Sequence, residues 1–153
     1  IRIYLPPDGT VPDTLTPADV PPRQLHGSET VLLVEDEVGV RTIVERMLSR
    51  HGYRVLTAAS GEEALHLVRT FEGTIDLLLS DVVMPGMSGV DLASQLRARL
   101  PGVRVLLMSG HAADVLEGEG MTADLPQLLE KPFSDGSLTR AVREVLDARG
   151  AAR

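Results

Sequence analysis

The stretch TIDLLLSDVVMPGMSG, residues 74–89, runs from a short apolar segment into an aspartate and then turns at Pro85-Gly86. A continuous apolar run of this length, bounded by turn residues, is typical of a strand buried on both faces of a sheet. Asp81 stands at the carboxyl end of that strand. A carboxylate in this position either caps the turn or takes part in chemistry. The rest of the sequence decides between these two interpretations.

Four other short apolar segments alternate with helical patterns around this stretch. The helical patterns have apolar residues at i, i+3, i+4 and i+7, as at Val40, Ile43, Val44 and Met47. Strands that alternate with helices form βαβ units around a parallel sheet. The strand candidates are TVLLVE (30–35), YRVLTA (53–58), IDLLLS (75–80), VRVLLMS (103–109) and QLLEK (127–131).

This alternation predicts an α/β fold: a five-stranded parallel sheet in a doubly wound, flavodoxin-like (βα)5 sandwich. Serines at 60, 88 and 134 are placed to cap three of the helices. The segment 112–125 contains two glycines and little periodicity. We therefore expect the fourth helix to be short or irregular.

The beginning of the chain has a different composition. Six of the ten prolines fall within residues 6–28, which is typical of an extended linker. Ahead of it, apolar and polar residues alternate in IRIYLP (1–6), which predicts a half-buried strand of an upstream domain. The sequence thus predicts the end of an upstream domain plus a Pro-rich linker over 1–29, and one globular domain over 30–153.

Composition narrows the functional classes. A net charge of −7 argues against a nucleic-acid partner. No apolar run approaches the roughly 20 residues that span a bilayer, so we expect no membrane contact by this fragment. The absence of cysteine fits a cytoplasmic setting, which leaves open a membrane anchor elsewhere in a parent protein.

Polar residues end four of the five predicted strands. Ligands of a parallel α/β sheet bind at the carboxyl ends of its strands, so these residues are expected to converge. Acids ahead of a helix can instead serve its N-terminal dipole, and a lysine can simply be solvated. The chain, however, has 14 arginines and a single lysine, and that lysine falls at this edge. The residues are Glu35 and Asp36, Asp81, Ser109, and Lys131.

Clustered acids need a cation to coexist. Two carboxylates about 4 Å apart repel by roughly 4 kcal/mol at an effective dielectric near 20. Carboxylate oxygens suit Mg²⁺, which also accepts phosphate oxygens as ligands. An aspartate beside Mg²⁺ and a lysine can attack a phosphoryl group and form an aspartyl phosphate. The Ser109 hydroxyl would then donate to a phosphoryl oxygen.

Four blocks of this sequence resemble the signatures of the response-regulator receiver domains of bacterial two-component signalling. They are LLVEDE, DLLLSDVVMPGMSG, VLLMSGH and LLEKPF, in order and at suitable spacing over about residues 30–149. The resemblance implies a phosphorelay switch in which Asp81 is the phosphoacceptor, with Ser109 and Lys131 contacting the phosphoryl group. It also implies Mg²⁺ held by Asp36, Asp81 and the Val83 carbonyl, with Glu35 acting through water, and a Lys131–Pro132 bond that is often cis.

The resemblance implies partners as well. The phosphodonor would be a histidine kinase or a histidine phosphotransfer protein. The resemblance also allows a homodimer of this chain. IRIYLP is similar to the last strand of a histidine kinase ATP-binding domain, which favours the C-terminal receiver of a hybrid histidine kinase. Two residues depart from the family: Leu128 replaces the usual switch aromatic, and His111 occupies a position that tunes phosphate lifetime.

Three alternatives remain. A standalone response regulator would differ only in what lies upstream. A pseudo-receiver would use the same fold as an interaction module without phosphorylation, for which Leu128 leaves room. A Mg²⁺-dependent phosphatase would also use an aspartate nucleophile, but it needs a second acid two residues later, where this chain has Val83.

Overall fold

The structure is a computed structural model, described here for residues 27–110 and 127–148. The strands in these ranges are β1 (Thr30–Val34), β2 (Arg54–Ala58), β3 (Leu77–Asp81), β4 (Arg104–Ser109) and β5 (Gln127–Glu130). The helices are α1 (Val38–Arg50), α2 (Gly61–Thr70), α3 (Gly89–Arg99) and α4 (Asp135–Asp147). The predicted irregular helix over 112–125 and His111 lie outside the described residues, as does the predicted strand at residues 1–6.

The five strands form one parallel sheet in the order β2-β1-β3-β4-β5. This confirms the predicted five-stranded, doubly wound α/β architecture. The chain first moves outward from β1 to β2 and then returns to the other side of β1 with β3. The strand order therefore reverses between β1 and β3, and the crevice at their carboxyl ends is where such folds bind ligands.

Apolar side chains on both faces of the sheet explain why its central strands are continuous apolar runs. All residues of β1 and β3 are buried. Alternate strand residues pack with α2 and α3 on one face and with α1 and α4 on the other. In α4 an apolar stripe at helical spacing is buried: Leu138, Ala141, Val142, Val145 and Leu146.

Strand ends differ from the predicted ones by one or two residues. β3 includes Asp81, one residue more than predicted, while β1 and β5 each stop one residue earlier. Backbone pairing nevertheless continues at both early ends. The amide of Glu35 donates to the Ala58 carbonyl at 3.1 Å, and the amide of Lys131 donates to the Ser109 carbonyl at 2.7 Å. The site residues therefore leave the sheet from fixed positions.

The helix caps agree with the sequence, whereas the apolar face of α1 is only partly buried. The hydroxyls of Ser60, Ser88 and Ser134 each accept a hydrogen bond from the backbone amide three residues later. On α1, however, Ile43 is 54% exposed. Only Val44 and Leu48 of that helix are fully buried, because α1 turns its other apolar residues toward a surface groove. No helix in the described ranges is long and apolar enough to cross a bilayer.

Candidate phosphoacceptor site

Three acids meet at the switch point of the sheet. Glu35 and Asp36 follow β1, and Asp81 ends the neighbouring strand β3. One carboxylate oxygen from each of the three acids lies within 4.8 Å of one oxygen from each of the other two. Glu35 is buried, Asp36 is exposed, and the Asp81 side chain is 12% exposed. The two strands thus bring together the acids that the sequence placed at strand ends.

Lys131 reaches this cluster from the end of β5. Its Nζ lies 3.0 Å from Glu35 Oε2 and 3.5 Å from Asp81 Oδ1. The lysine follows directly on β5, and its peptide bond to Pro132 is cis, as the resemblance implied. The single lysine of the chain is therefore an ion-pair partner of two site carboxylates and not a solvated surface charge.

Burial and charge shift the pKa values of two of the acids. Burial raises the pKa of the Glu35 carboxyl, and the hydrogen bonds from Lys131 and the Glu37 amide offset this only in part. Burial likewise raises the pKa of Asp81, against the opposing effect of Lys131, and the charge of Asp36 raises it further. Both carboxylates are thus less stable as anions here than in water.

The lysine is held in its charged form. Burial lowers the pKa of the Lys131 ammonium, but the hydrogen bond to Glu35 and the charges of Asp81 and Glu35 outweigh burial and raise it overall. One ammonium thus faces three carboxylates. The cluster retains excess negative charge, and the donor atoms that carry it are hard oxygens, so these residues fit a divalent cation such as Mg²⁺.

Two further predicted site residues flank the cluster. Ser109 is the last residue of β4, is 3% exposed, and pairs in register with Glu130 of β5. Its neighbour Met108 is paired with Asp81 across the strands. Val83 lies in the loop after β3 and is 74% exposed. The structure thus places Ser109 at the end of the strand next to β3, and Val83 in the loop two residues beyond Asp81.

Gly89, which the sequence did not single out, holds the loop that follows Asp81. The amide of Gly89 donates to the Val82 carbonyl at 2.8 Å, which closes the loop between β3 and α3. A Cβ at position 89 would collide with the Asp81 carbonyl oxygen. This loop therefore requires glycine where the chain returns to the end of β3. The sequence signal was the second glycine of GMSG, directly after the helix cap.

Arg41 of α1 was also missed. Its Nη1 donates to the carbonyl oxygen of Glu35 at 2.7 Å. An arginine near the start of an amphipathic helix carries no sequence signal of such a contact, because the contact depends on how the loop before the helix folds back.

An ion-pair cluster lies at the opposite, amino-terminal edge of the sheet. Arg143 of α4 donates to both carboxylate oxygens of Glu29, at 3.2 and 2.7 Å, and to the Tyr53 hydroxyl at 3.1 Å. The amide of Gly27 donates to the His51 carbonyl at 2.9 Å. Residues 27–29 are thus tied to the domain that follows them.

The sequence profile of the response regulator receiver domain matches residues 31–143. The chain belongs to this receiver-domain family. The predicted resemblance is thereby confirmed, and the chain is a receiver domain of two-component signalling. The structure brings Glu35, Asp36 and Asp81 to one edge of the sheet, with Lys131 beside them.

Individual relatives agree with this family. The chain is 44% identical over 124 residues to the sensor kinase CckA of Brucella abortus, which covers 80% of this chain and 13% of that kinase. The crystal structure of the receiver domain from the hybrid histidine kinase CckA is 39% identical, with a TM-score of 0.64, over 76% of this chain and 98% of that one. The response regulator TrrA of Thermotoga maritima, solved in complex with Mg²⁺-BeF, is 30% identical, with a TM-score of 0.66, over 77% and 99%.

The curated relatives are longer proteins. The chain spans 13% of the Brucella kinase and 51% of a Streptomyces coelicolor transcriptional regulator, AfsQ1. The similarity therefore concerns the receiver domain and not the remaining parts of those proteins.

Proposed function

We propose that this receiver domain is a Mg²⁺-dependent phosphoacceptor switch and that Asp81 is the residue that receives the phosphoryl group. One observation carries the proposal. The Asp81 carboxylate lies at the switch-point crevice, within 4.8 Å of two other carboxylates and 3.5 Å from the Lys131 ammonium. Of the three acids, Asp81 is the one that lies within a strand, as the last residue of β3.

The proposed reaction is a transfer between two side chains. An Asp81 carboxylate oxygen attacks the phosphorus of a phosphohistidine, so that an O–P bond forms as the P–N bond breaks. The electron pair of the P–N bond stays on the imidazole nitrogen, which gains a proton. Water later attacks the phosphorus and the O–P bond breaks. This step releases inorganic phosphate and restores the Asp81 carboxylate. Lys131 and the Ser109 hydroxyl contact the phosphoryl oxygens and stabilise their charge.

Mg²⁺ would be held by Asp36, Asp81 and the Val83 carbonyl, with Glu35 acting through water. The oxygen-only donor set and its excess negative charge support this assignment. So does the Thermotoga maritima relative that was solved in complex with Mg²⁺-BeF. When bound, Mg²⁺ supplies positive charge against the phosphoryl oxygens.

An apolar groove beside the site supports docking of a phosphodonor protein. The groove has a volume of about 260 Å³ and runs from α1 to the residues after β5. Lys131, which must touch the phosphoryl group, is part of its wall, so a partner seated there would present its phosphohistidine at Asp81. The donor would be a histidine kinase or a histidine phosphotransfer protein. The lining residues are Val40, Ile43, Val44, Met47, Lys131, Pro132 and Phe133.

We further propose that the parent protein is a hybrid histidine kinase, with residues 1–29 joining its kinase part to the receiver over 30–153. The similarity to CckA supports this origin. An antibody against the receiver tests it in extracts of the source cells. A band much larger than the 16.5 kDa of this chain is expected, and a band at the size of a standalone regulator would contradict the proposal.

Incubation with Mg²⁺ and acetyl phosphate, followed by intact-mass measurement, tests the phosphoacceptor role. The unsubstituted chain should gain the mass of one phosphoryl group, and hydroxylamine should remove it. Asp81→Asn should show no adduct. Asp91→Asn is the matched control, because Asp91 is exposed on α3, and it should be phosphorylated like the unsubstituted chain.

Three results would change the proposal. No adduct on the unsubstituted chain, even with a phosphohistidine donor, would favour the pseudo-receiver alternative. Repeated turnover of phosphate esters would favour the phosphatase. An adduct that persists in Asp81→Asn would mean that another residue is the acceptor.

A further inference from the structure

Arg41 contacts the loop that carries two of the site acids. Its Nη1 donates to the carbonyl oxygen of Glu35 at 2.7 Å, and its backbone amide donates to the Glu37 carbonyl at 2.9 Å. The second bond is the usual backbone bond of the first helical turn, so the contact with the Glu35 carbonyl is the one that the Arg41 side chain itself makes. We propose that Arg41 is a positioning residue that fixes the Glu35–Asp36 peptide and thereby sets the direction of the Asp36 carboxylate in the cation site.

The need for such a contact follows from where β1 ends. The Glu35 amide still pairs with Ala58 of β2, at 3.1 Å, but its carbonyl has left the strand ladder. That carbonyl and the Asp36 amide belong to one planar peptide unit. A donor that holds the carbonyl therefore fixes the rotation of the whole unit, and with it the direction in which the Asp36 side chain leaves the backbone.

Glu35 and Asp36 differ in how they are held. The buried Glu35 carboxylate accepts from Lys131 at 3.0 Å and from the Glu37 amide at 3.2 Å. Asp36 is exposed, and the N-cap residue Glu37 makes no side-chain cap bond, so within the loop only the Glu35 carboxylate contributes a side-chain hydrogen bond, to the Glu37 amide. The orientation of Asp36 thus depends on its backbone. A charged donor makes a stronger hydrogen bond than a neutral one, which suits Arg41 to this task.

A simpler role makes the opposite prediction. If Arg41 were only a positive charge near an acidic cluster, its removal would leave the cluster more negative and would tighten cation binding. If Arg41 positions the loop, its removal releases the peptide and weakens cation binding. The direction of the change in Mg²⁺ affinity therefore separates the two roles.

The experiment is a calorimetric titration of the 153-residue chain with Mg²⁺. Arg41→Gln should raise the dissociation constant about tenfold, which is the usual cost of losing a contact that orients a metal ligand. Arg41→Lys keeps the charge and one donor and should fall between Arg41→Gln and the unsubstituted chain. Arg46→Gln is the matched control, because Arg46 is exposed on the same helix, and it should leave the constant unchanged.

A second readout separates positioning from general damage. In phosphorylation by acetyl phosphate, Arg41→Gln should need more Mg²⁺ for half-maximal rate but reach nearly the same rate at saturating Mg²⁺. Unchanged or tighter Mg²⁺ binding by Arg41→Gln would overturn the inference. If Arg41→Gln fails to fold, Arg41→Lys takes its place, and an affinity equal to that of the unsubstituted chain would overturn it.

The inference rests on the proposed function, but the two can fail separately. If the unsubstituted chain neither binds Mg²⁺ nor accepts phosphoryl groups, the proposed function fails. If the unsubstituted chain does both and Arg41→Gln behaves identically, only the role of Arg41 fails.

Discussion

Asp81→Asn should make this protein more stable when Mg²⁺ is absent. Two carboxylate oxygens at 4.8 Å, the upper limit of the separations within this cluster, repel by about 3.5 kcal/mol at an effective dielectric of 20. The Asp81 charge faces two such neighbours, Glu35 and Asp36. Against them stands Lys131 at 3.5 Å, whose attraction is about 5 kcal/mol on the same scale.

The net repulsion is therefore about 2 kcal/mol, and solvent around the exposed Asp36 reduces it toward 1 kcal/mol. The raised pKa of Asp81, caused mainly by burial, has the same sign. Replacing the charge with an amide should raise the free energy of unfolding by about 1–2 kcal/mol, since Lys131 keeps Glu35 as its partner at 3.0 Å. For a domain of this size the midpoint of thermal unfolding would rise by about 2–4 °C per kcal/mol.

Urea unfolding followed by far-UV circular dichroism, in EDTA, measures this difference. Asp91→Asn should change the free energy by less than about 0.5 kcal/mol, because Asp91 is exposed at the beginning of α3. Added Mg²⁺ should reduce or reverse the advantage of Asp81→Asn, since only the unsubstituted chain retains all the proposed ligands. An Asp81→Asn variant that is equally or less stable in EDTA would refute the reasoning, for it would show that Lys131 already compensates the acids.

Two further predictions concern other parts of the domain. Hydrogen bonds from Arg143 lower the pKa of Glu29, so their stabilisation is present above the ordinary value of 4.5 and is lost as the pH falls through the lowered pKa. Glu29→Gln should thus be about 1 kcal/mol less stable at pH 7, with the gap closing below pH 4.5, and a gap that persists in acid would contradict this. Gly89→Ala should cost about 1–3 kcal/mol in urea unfolding, because its Cβ meets the Asp81 carbonyl. Gly39→Ala meets nothing within 4 Å on helix α1 and should instead stabilise by about 0.5–1 kcal/mol; equal effects at both positions would contradict the assignment.

The sequence predicted the structure well at positions where the residue type has a clear physical role. The β3 run was apolar because both of its faces are covered, and Asp81 stood out because it ends that run. The serine caps were recognisable because their hydroxyls serve the amide three residues later. Because the strands are parallel, their carboxyl ends lie at one edge of the sheet. The acid cluster could therefore be predicted without knowing the order of the strands in the sheet.

Contacts that depend on folded geometry could not be predicted. Arg41 and Arg143 resemble the other arginines in the sequence, and only the path of the chain shows that one holds a carbonyl and the other a carboxylate. Ile43 fits the apolar period of α1 but is 54% exposed, because periodicity does not say how much of a helix face its neighbours cover. The candidate site residues could be predicted from residue type and order, whereas the contacts of Arg41 and Arg143 could not.

The single lysine of this chain can be modified selectively by chemical reagents. Lys131 Nζ is the only side-chain amine in these 153 residues, so an amine-selective acylating reagent has one side-chain target among them. That amine is held protonated by its pairing with Glu35 and Asp81, which makes it a poor nucleophile at neutral pH. Once acylated, it would leave the buried Glu35 carboxylate without its cation. Acylation at one atom is therefore equivalent to a charge-removing substitution at the site, and its rate reports whether the salt bridge is closed.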